Sequence, residues 1–160
     1  MGLFHRKNRK LQILAPLTGK AIPIEETPDN VFSGKVLGDG VTILPENGAV
    51  TAPLDGMVVN IAHTYHAVCI AGDDGAEVLI HLGIDTVELK GKGFICHVKQ
   101  GDHVTAGQKL MDMDLAFITE HGYSTASPCI VTNVPELKNL SPQTGETTAG
   151  KTIVIEYEKP

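Results

Sequence analysis

Ala15-Pro16-Leu17-Thr18-Gly19 returns 37 residues later as Ala52-Pro53-Leu54-Asp55-Gly56, and this repeat decides the fold. Proline has no N–H for a sheet ladder, so it suits a chain entering a strand better than one crossing its middle. The glycine three residues on permits a bulge or a close approach of another backbone. The match runs past the motif: Ile24 and Ile61 fall at the same distance after each glycine, and Ala126-Ser127-Pro128-Cys129-Ile130 reads as a third, degenerate copy. Repetition of this kind indicates a duplicated β unit.

Outward from the repeat, short apolar or alternating runs predict strands over 12–15, 41–44, 58–62, 67–70, 78–81, 94–98, 109–112, 129–132 and 152–156. Turn signals separate them, among them Gly38-Asp39-Gly40, Glu46-Asn47-Gly48, Asp73-Asp74-Gly75 and Gly101-Asp102. Two places read as helical. Asp114 can cap a short helix over 115–121 that Gly122 ends, and 133–140 can form a turn or two with Pro135 near its start. The 17 Gly and 9 Pro favour many turns, and with 4% aromatics and no Trp the core must rest on Val, Ile, Leu and Ala. An all-β sandwich or barrel of nine or ten strands follows, with one or two short helices.

At 160 residues and 42% apolar composition the chain can bury one real core. Residues 1–10 read as a flexible basic tail and 11–160 as one domain. In the tail, Leu3 and Phe4 beside Arg6, Lys7, Arg9 and Lys10 could give weak membrane contact. No stretch is long and apolar enough to span a bilayer, and no signal-peptide pattern follows the basic start. A net charge of −6 argues against nucleic-acid binding and allows a basic protein partner. Cys69, Cys96 and Cys129 are odd in number and lack paired spacing, which points to a reducing, cytoplasmic setting. Cys69 and Cys96, inside apolar runs, are expected to pack as small buried residues.

The chemistry lies in two histidines on neighbouring apolar runs: His66 in Thr64-Tyr65-His66-Ala67-Val68, and His81 in Val78-Leu79-Ile80-His81-Leu82-Gly83-Ile84-Asp85-Thr86-Val87-Glu88-Leu89-Lys90-Gly91. A turn segment, Ala71–Gly75, lies between the runs. If they form one hairpin, both imidazoles can project from the same sheet face. His63, His97, His103 and His121 lack such context and read as solvent-facing or structural.

The second run resembles the signature of the glucose-type enzyme IIA (EIIA) of the bacterial phosphoenolpyruvate-dependent sugar phosphotransferase system. The resemblance covers nearly the whole chain. It takes in the Met-Gly-Leu-Phe start, both Ala-Pro-Leu-x-Gly segments, Pro28-Asp29-x-Val31-Phe32, Gly38-Asp39-Gly40 and Thr64-x-His66-Ala67. It implies a β-sandwich with duplicated hybrid motifs, a barrel-sandwich hybrid. Gly101-Asp102-His103-Val104-Thr105-Ala106-Gly107-Gln108-Lys109-Leu110 also resembles a turn of biotinyl and lipoyl carrier domains, without their carrier lysine.

The resemblance further implies that His81 takes a phosphoryl group from the phosphocarrier protein HPr and gives it to a sugar-specific enzyme IIB (EIIB). His66 would face it and steady the phosphoryl group. Thr64 would orient His66, and the Gly83 carbonyl would orient His81. Asp29 and Asp85 match acidic groups near the partner interface, and Val31, Phe32 and Val87 match its apolar docking surface. Ala62, Leu79 and Cys69 depart from the best-known members at that surface.

A neutral imidazole is a competent nucleophile near pH 7. Phosphoryl transfer asks mainly for positioning and stabilised oxygens, so no cofactor is required. Two other readings stand beside the carrier. An unphosphorylated face could bind and regulate transporters or kinases. A zinc hydrolase would need more ligands than His81-x-x-x-Asp85 offers, and the chain has no His-x-His pair. The sequence holds no intrinsic metal site, although His66 and His81 could bind zinc if a partner supplied a carboxylate. The sugar served is not legible.

Overall fold

The computed structural model describes residues 10–159, so the expected tail lies outside the described residues except for Lys10. The first half of the chain holds β1 (Leu11–Leu14), β2 (Gly19–Pro23), helix α1 (Asn30–Ser33), β3 (Asp39–Pro45), β4 (Ala49–Thr51), β5 (Gly56–Ile61), β6 (Ala67–Gly72) and β7 (Glu77–His81). The second half adds β8 (Phe94–Cys96), β9 (His103–Val104), β10 (Lys109–Met113), helix α2 (Leu115–Glu120), β11 (Ser127–Val131), β12 (Lys138–Pro142), β13 (Gly145–Thr147) and β14 (Ile153–Glu158). Short 3-10 turns cover Ile24–Glu26, Thr86–Leu89 and Val134–Glu136.

The expected runs all contain strand, with ends displaced by up to two residues. Five further strands, β2, β4, β9, β12 and β13, were not legible. Residues 138–140, expected as helical turn, are instead part of β12. Asp114 does cap α2: its carboxylate accepts from Phe117 N at 3.1 Å, and Gly122 follows the helix at φ +86°.

An eight-stranded antiparallel sheet runs β13-β2-β3-β11-β7-β6-β5-β9, accompanied by two three-stranded sheets, β1-β14-β12 and β4-β10-β8. The order is symmetric. β4, β5, β6, β7, β8, β9 and β10 pair among themselves as β1, β2, β3, β11, β12, β13 and β14 do, so one unit is inserted between β3 and β11 of the other. The third, degenerate copy read at Ala126–Ile130 is not a copy of the motif: it lies largely in β11, the counterpart of β7.

The repeated motifs meet where the units join. Leu14 N donates to Pro53 O and Thr51 N to Pro16 O, both at 2.8 Å. Each proline therefore serves as an acceptor in the lead-in, and the strand itself starts at the glycine. Gly19 and Gly56 are required there, because a Cβ on either would strike a cross-strand carbonyl, Leu44 O or Ala71 O. The Ile24/Ile61 correspondence fails by one residue. A register shift in β5 between Val58 and Asn60 sets Ile61 opposite Val68, and the residue placed likewise in the other unit is Pro23, opposite Val41.

The main core is aliphatic, from Ile13 and Leu17 through Ile43, Val58, Ile70, Ile80 and Leu110 to Ile155, with Tyr157 and Phe94 as its large aromatics. A second, smaller cluster of Ile24, Phe32, Ile84, Ala126 and Ile130 packs with Leu79. Cys129 is the fully buried thiol, pushed up to about 12 by burial, whereas Cys69 and Cys96 are only half-buried. The expectation that those two would be buried is corrected accordingly: each lies on a strand face that its neighbours only partly cover.

Candidate functional site

His81 ends β7 and Ala67 starts β6 directly opposite it. The ladder continues one step, with Leu82 N donating to His66 O at 2.6 Å, so the hairpin brings His66 beside His81. The two rings lie edge to face, centroids 5.2 Å apart at 72°. Phe32, delivered by α1, also packs against His81, its ring centroid 5.0 Å away.

Each imidazole is held through Nδ1. His81 Nδ1 lies 2.7 Å from Gly83 O, and since a carbonyl only accepts, Nδ1 must carry the proton. That leaves the lone pair of the neutral ring on Nε2. His66 Nδ1 lies 2.7 Å from Thr64 Oγ1; when the hydroxyl donates, the proton of His66 sits on Nε2. Neither Nε2 has a protein hydrogen-bond partner among the described residues. Thr64 and His66 flank Tyr65, whose φ of +60° makes the tight turn between them.

Burial holds the His81 imidazole below its ordinary value, against the opposing pull of the Gly83 carbonyl and the Asp29 and Asp85 carboxylates. Burial, and then the neighbouring His81, lowers His66 as well. Both rings are thus neutral at pH 7.

The surrounding residues divide in two. Val31 and Val87 are exposed, at 44% and 47%. Asp29 caps α1, accepting from Val31 N at 2.9 Å. Asp85 precedes the 3-10 turn Thr86–Leu89 at φ +60° and is exposed, its carboxylate making no cap. Phe32 departs from expectation: it is 6% exposed and belongs to the small core cluster, so it forms a wall of the site and offers little to a partner. Three other histidines have partners of their own. His97 pairs with Asp112, His103 with Asp73, and His121 bonds to Phe117 O.

Behind His81 lie groups that the sequence reading passed over. Gly83 N donates to Ser127 Oγ at 3.1 Å, Thr86 Oγ1 donates to Leu82 O at 2.5 Å, and Ile84 N donates to Ser124 O at 3.0 Å. The available signal was a hydroxyl at the head of an apolar strand, Ser127, and another inside the signature, Thr86.

Two neutral, oriented imidazoles on one rim suit transfer of a small charged group. The profile of the phosphoenolpyruvate-dependent sugar phosphotransferase system, EIIA 1, matches residues 11–137. The chain belongs to this family. It is therefore a phosphotransferase component that carries phosphoryl groups in sugar uptake. The glucose-specific EIIA component of Oceanobacillus iheyensis is 44% identical over 154 residues, which is 94% of this chain and 92% of that protein. A glucose-specific EIICBA component of Staphylococcus carnosus is also 44% identical, over 89% of this chain and 21% of that longer protein. The solved glucose permease IIA of Mycoplasma capricolum has a TM-score of 0.86 and 38% identity, covering 93% of this chain and 96% of that one. Like that solved protein, the chain is an antiparallel β-sandwich. Among the described residues no helix is long and apolar enough to cross a membrane.

Proposed function

We propose that His81 Nε2 is the phosphoryl acceptor of this carrier, with HPr as donor and an EIIB domain as recipient. The single observation that carries the reading is the tautomer at His81: its proton is committed to Gly83 O, so the nucleophilic lone pair faces outward. As the bond from Nε2 to phosphorus forms, the N–P bond of the donor breaks and its electron pair returns to the donor ring. His81 keeps its Nδ1 proton on the Gly83 carbonyl throughout. His66, held by Thr64, donates from Nε2 to a phosphoryl oxygen. Transfer to EIIB runs the same exchange in reverse.

Val31 and Val87 form the apolar rim that excludes water at the docked interface, with the edge of Phe32 beneath. Asp29 and Asp85 flank it and suit basic residues on a partner. We infer a cytoplasmic protein whose sugar is set by the recipient, since relatives named for glucose and for glucoside match equally at 44%. In the unphosphorylated state the same rim serves regulatory binding of transporters or kinases. Zinc is not needed for transfer. His66 and His81 are two ligands, and no group of three lies among the described residues, so zinc there requires a carboxylate from a partner. Weak membrane contact is assigned to the basic segment 1–10, and liposome flotation with and without it tests this.

The test of the carrier reading is label from phosphoenolpyruvate, with enzyme I and HPr, on wild type, His81→Gln and His66→Gln. Wild type takes acid-labile, base-stable label and His81→Gln takes none. His66→Gln takes label and passes it on slowly. Label on His81→Gln equal to wild type removes His81 from the role.

A further inference from the structure

We propose that Ser127 and Thr86 are positioning residues for phosphoryl transfer: their buried hydroxyls fix the peptide plane that leads into Gly83, and so set the direction of the Gly83 carbonyl that holds His81 Nδ1. The inference rests on His81 being the acceptor.

Gly83 has φ +78°, and a Cβ there would meet Thr86 Cγ2 at 2.5 Å and Ser124 O at 2.8 Å. The position is therefore restricted to glycine, which by itself is the least restrained residue. Something else must hold the carbonyl still. The peptide before Gly83 is pinned at both ends: Thr86 Oγ1 donates to Leu82 O, and Ser127 Oγ accepts from Gly83 N. The peptide after it is pinned too, with Gly83 O on His81 Nδ1 and Ile84 N on Ser124 O. Ser127 is oriented for its part, because its own proton goes to Thr125 O at 2.8 Å, leaving a lone pair for Gly83 N. Ser127 and Thr86 are both fully buried, so water cannot replace either hydroxyl without rearrangement. Neither touches the reacting atoms. They act through the Gly83 carbonyl, as an outer partner fixes the tautomer of a metal-bound histidine.

The experiment reads the His81 ring directly, by 15N NMR of the two imidazole nitrogens at pH 8, together with the rate of label transfer from phospho-HPr. Wild type shows one tautomer, protonated on Nδ1. Ser127→Ala shows a mixture of tautomers and transfers about tenfold more slowly, and Ser127→Thr restores both. Thr86→Val, which keeps the shape and removes the hydroxyl, shifts the ring in the same sense; Thr86→Ser does not. Should Ser127→Ala fail to fold, the Thr86 pair decides. A folded Ser127→Ala or Thr86→Val with the wild-type tautomer and rate overturns the proposal. A shifted tautomer in these variants, together with full labelling of His81→Gln, keeps the positioning and removes the acceptor role instead.

Discussion

The two duplicated units place different things at the same spot. In one, His81 ends β7 opposite Ala67; in the other, Ile130 lies in β11 opposite Gly40. β7 and β11 are neighbours in the large sheet, and Leu79 pairs with Ile130. His81 is only partly covered, while Ile130 is 1% exposed and sits in the small cluster with Ile24, Phe32 and Ile84. The cause is loop length. The β5–β6 connection is five residues, 62–66, and leaves its half of the face open. The β2–β3 connection is fifteen, 24–38, and folds a 3-10 turn and α1 over the other half. That longer loop also supplies Asp29, Val31 and Phe32 to the rim of the open half. The comparison teaches that strand position alone does not make a site: one unit carries the open pair of imidazoles, and the other has become their wall.

The sharpest way to break this comparison is to give the covered half a histidine. Ile130→His should lose about 3 kcal/mol or more of stability, because apolar contacts go and the imidazole is buried without partners. Urea unfolding measures the loss. The new ring should take no label in the His81→Gln background. Label there would show that strand position, and not access, selects the acceptor.

How much of this was legible follows the range of the interactions involved. The strands around His66 and His81 are long apolar runs and could be read locally, as could the Asp114 cap, which needs only three residues. β4, β9 and β13 are two or three residues long and owe their existence to partners far away in the chain. Phe32 was legible as a site residue but not its direction, because α1 is one turn of helix whose fold over the sheet depends on Ile24 and Ile130. Ser127 bonds across 44 residues to Gly83, a contact that no periodicity encodes. The sheet's symmetric order was hidden for the same reason, since one unit interrupts the other.

A smaller effect sharpens the contrast through pH. Burial lowers both imidazoles from the ordinary value of 6.5. Between the lowered value and 6.5 the unfolded chain binds more protons than the folded one, so stability rises with pH across that window. It is fully present above 6.5 and declines as pH falls below it. Replacing either histidine with Gln should flatten part of that decline, seen in melting temperature from pH 7.5 down to pH 5. Ile130 has nothing to titrate, so Ile130→Val should leave the slope unchanged. A slope that survives the His66→Gln, His81→Gln double variant would show that it does not arise at these two rings.

The smallest effects are expected at the rim, where exposed and buried apolar groups should behave differently. Val31 and Val87 are both exposed to solvent, so Val31→Ala or Val87→Ala should leave folding within about 0.5 kcal/mol. Each should weaken docking of HPr by about fivefold, the worth of roughly 1 kcal/mol of lost apolar burial. Ile95, more exposed than either at 61% but carried by β8 in a small sheet, should weaken it not at all when changed to Ala. Phe32→Ala belongs to the other class: it should cost about 3 kcal/mol in stability, as the loss of a buried aromatic does, and release the His81 ring it packs against. Calorimetry with HPr and unfolding curves on the four variants separate the two outcomes. Equal loss of affinity at Ile95 would mean that partners engage a surface other than the open half of the sheet.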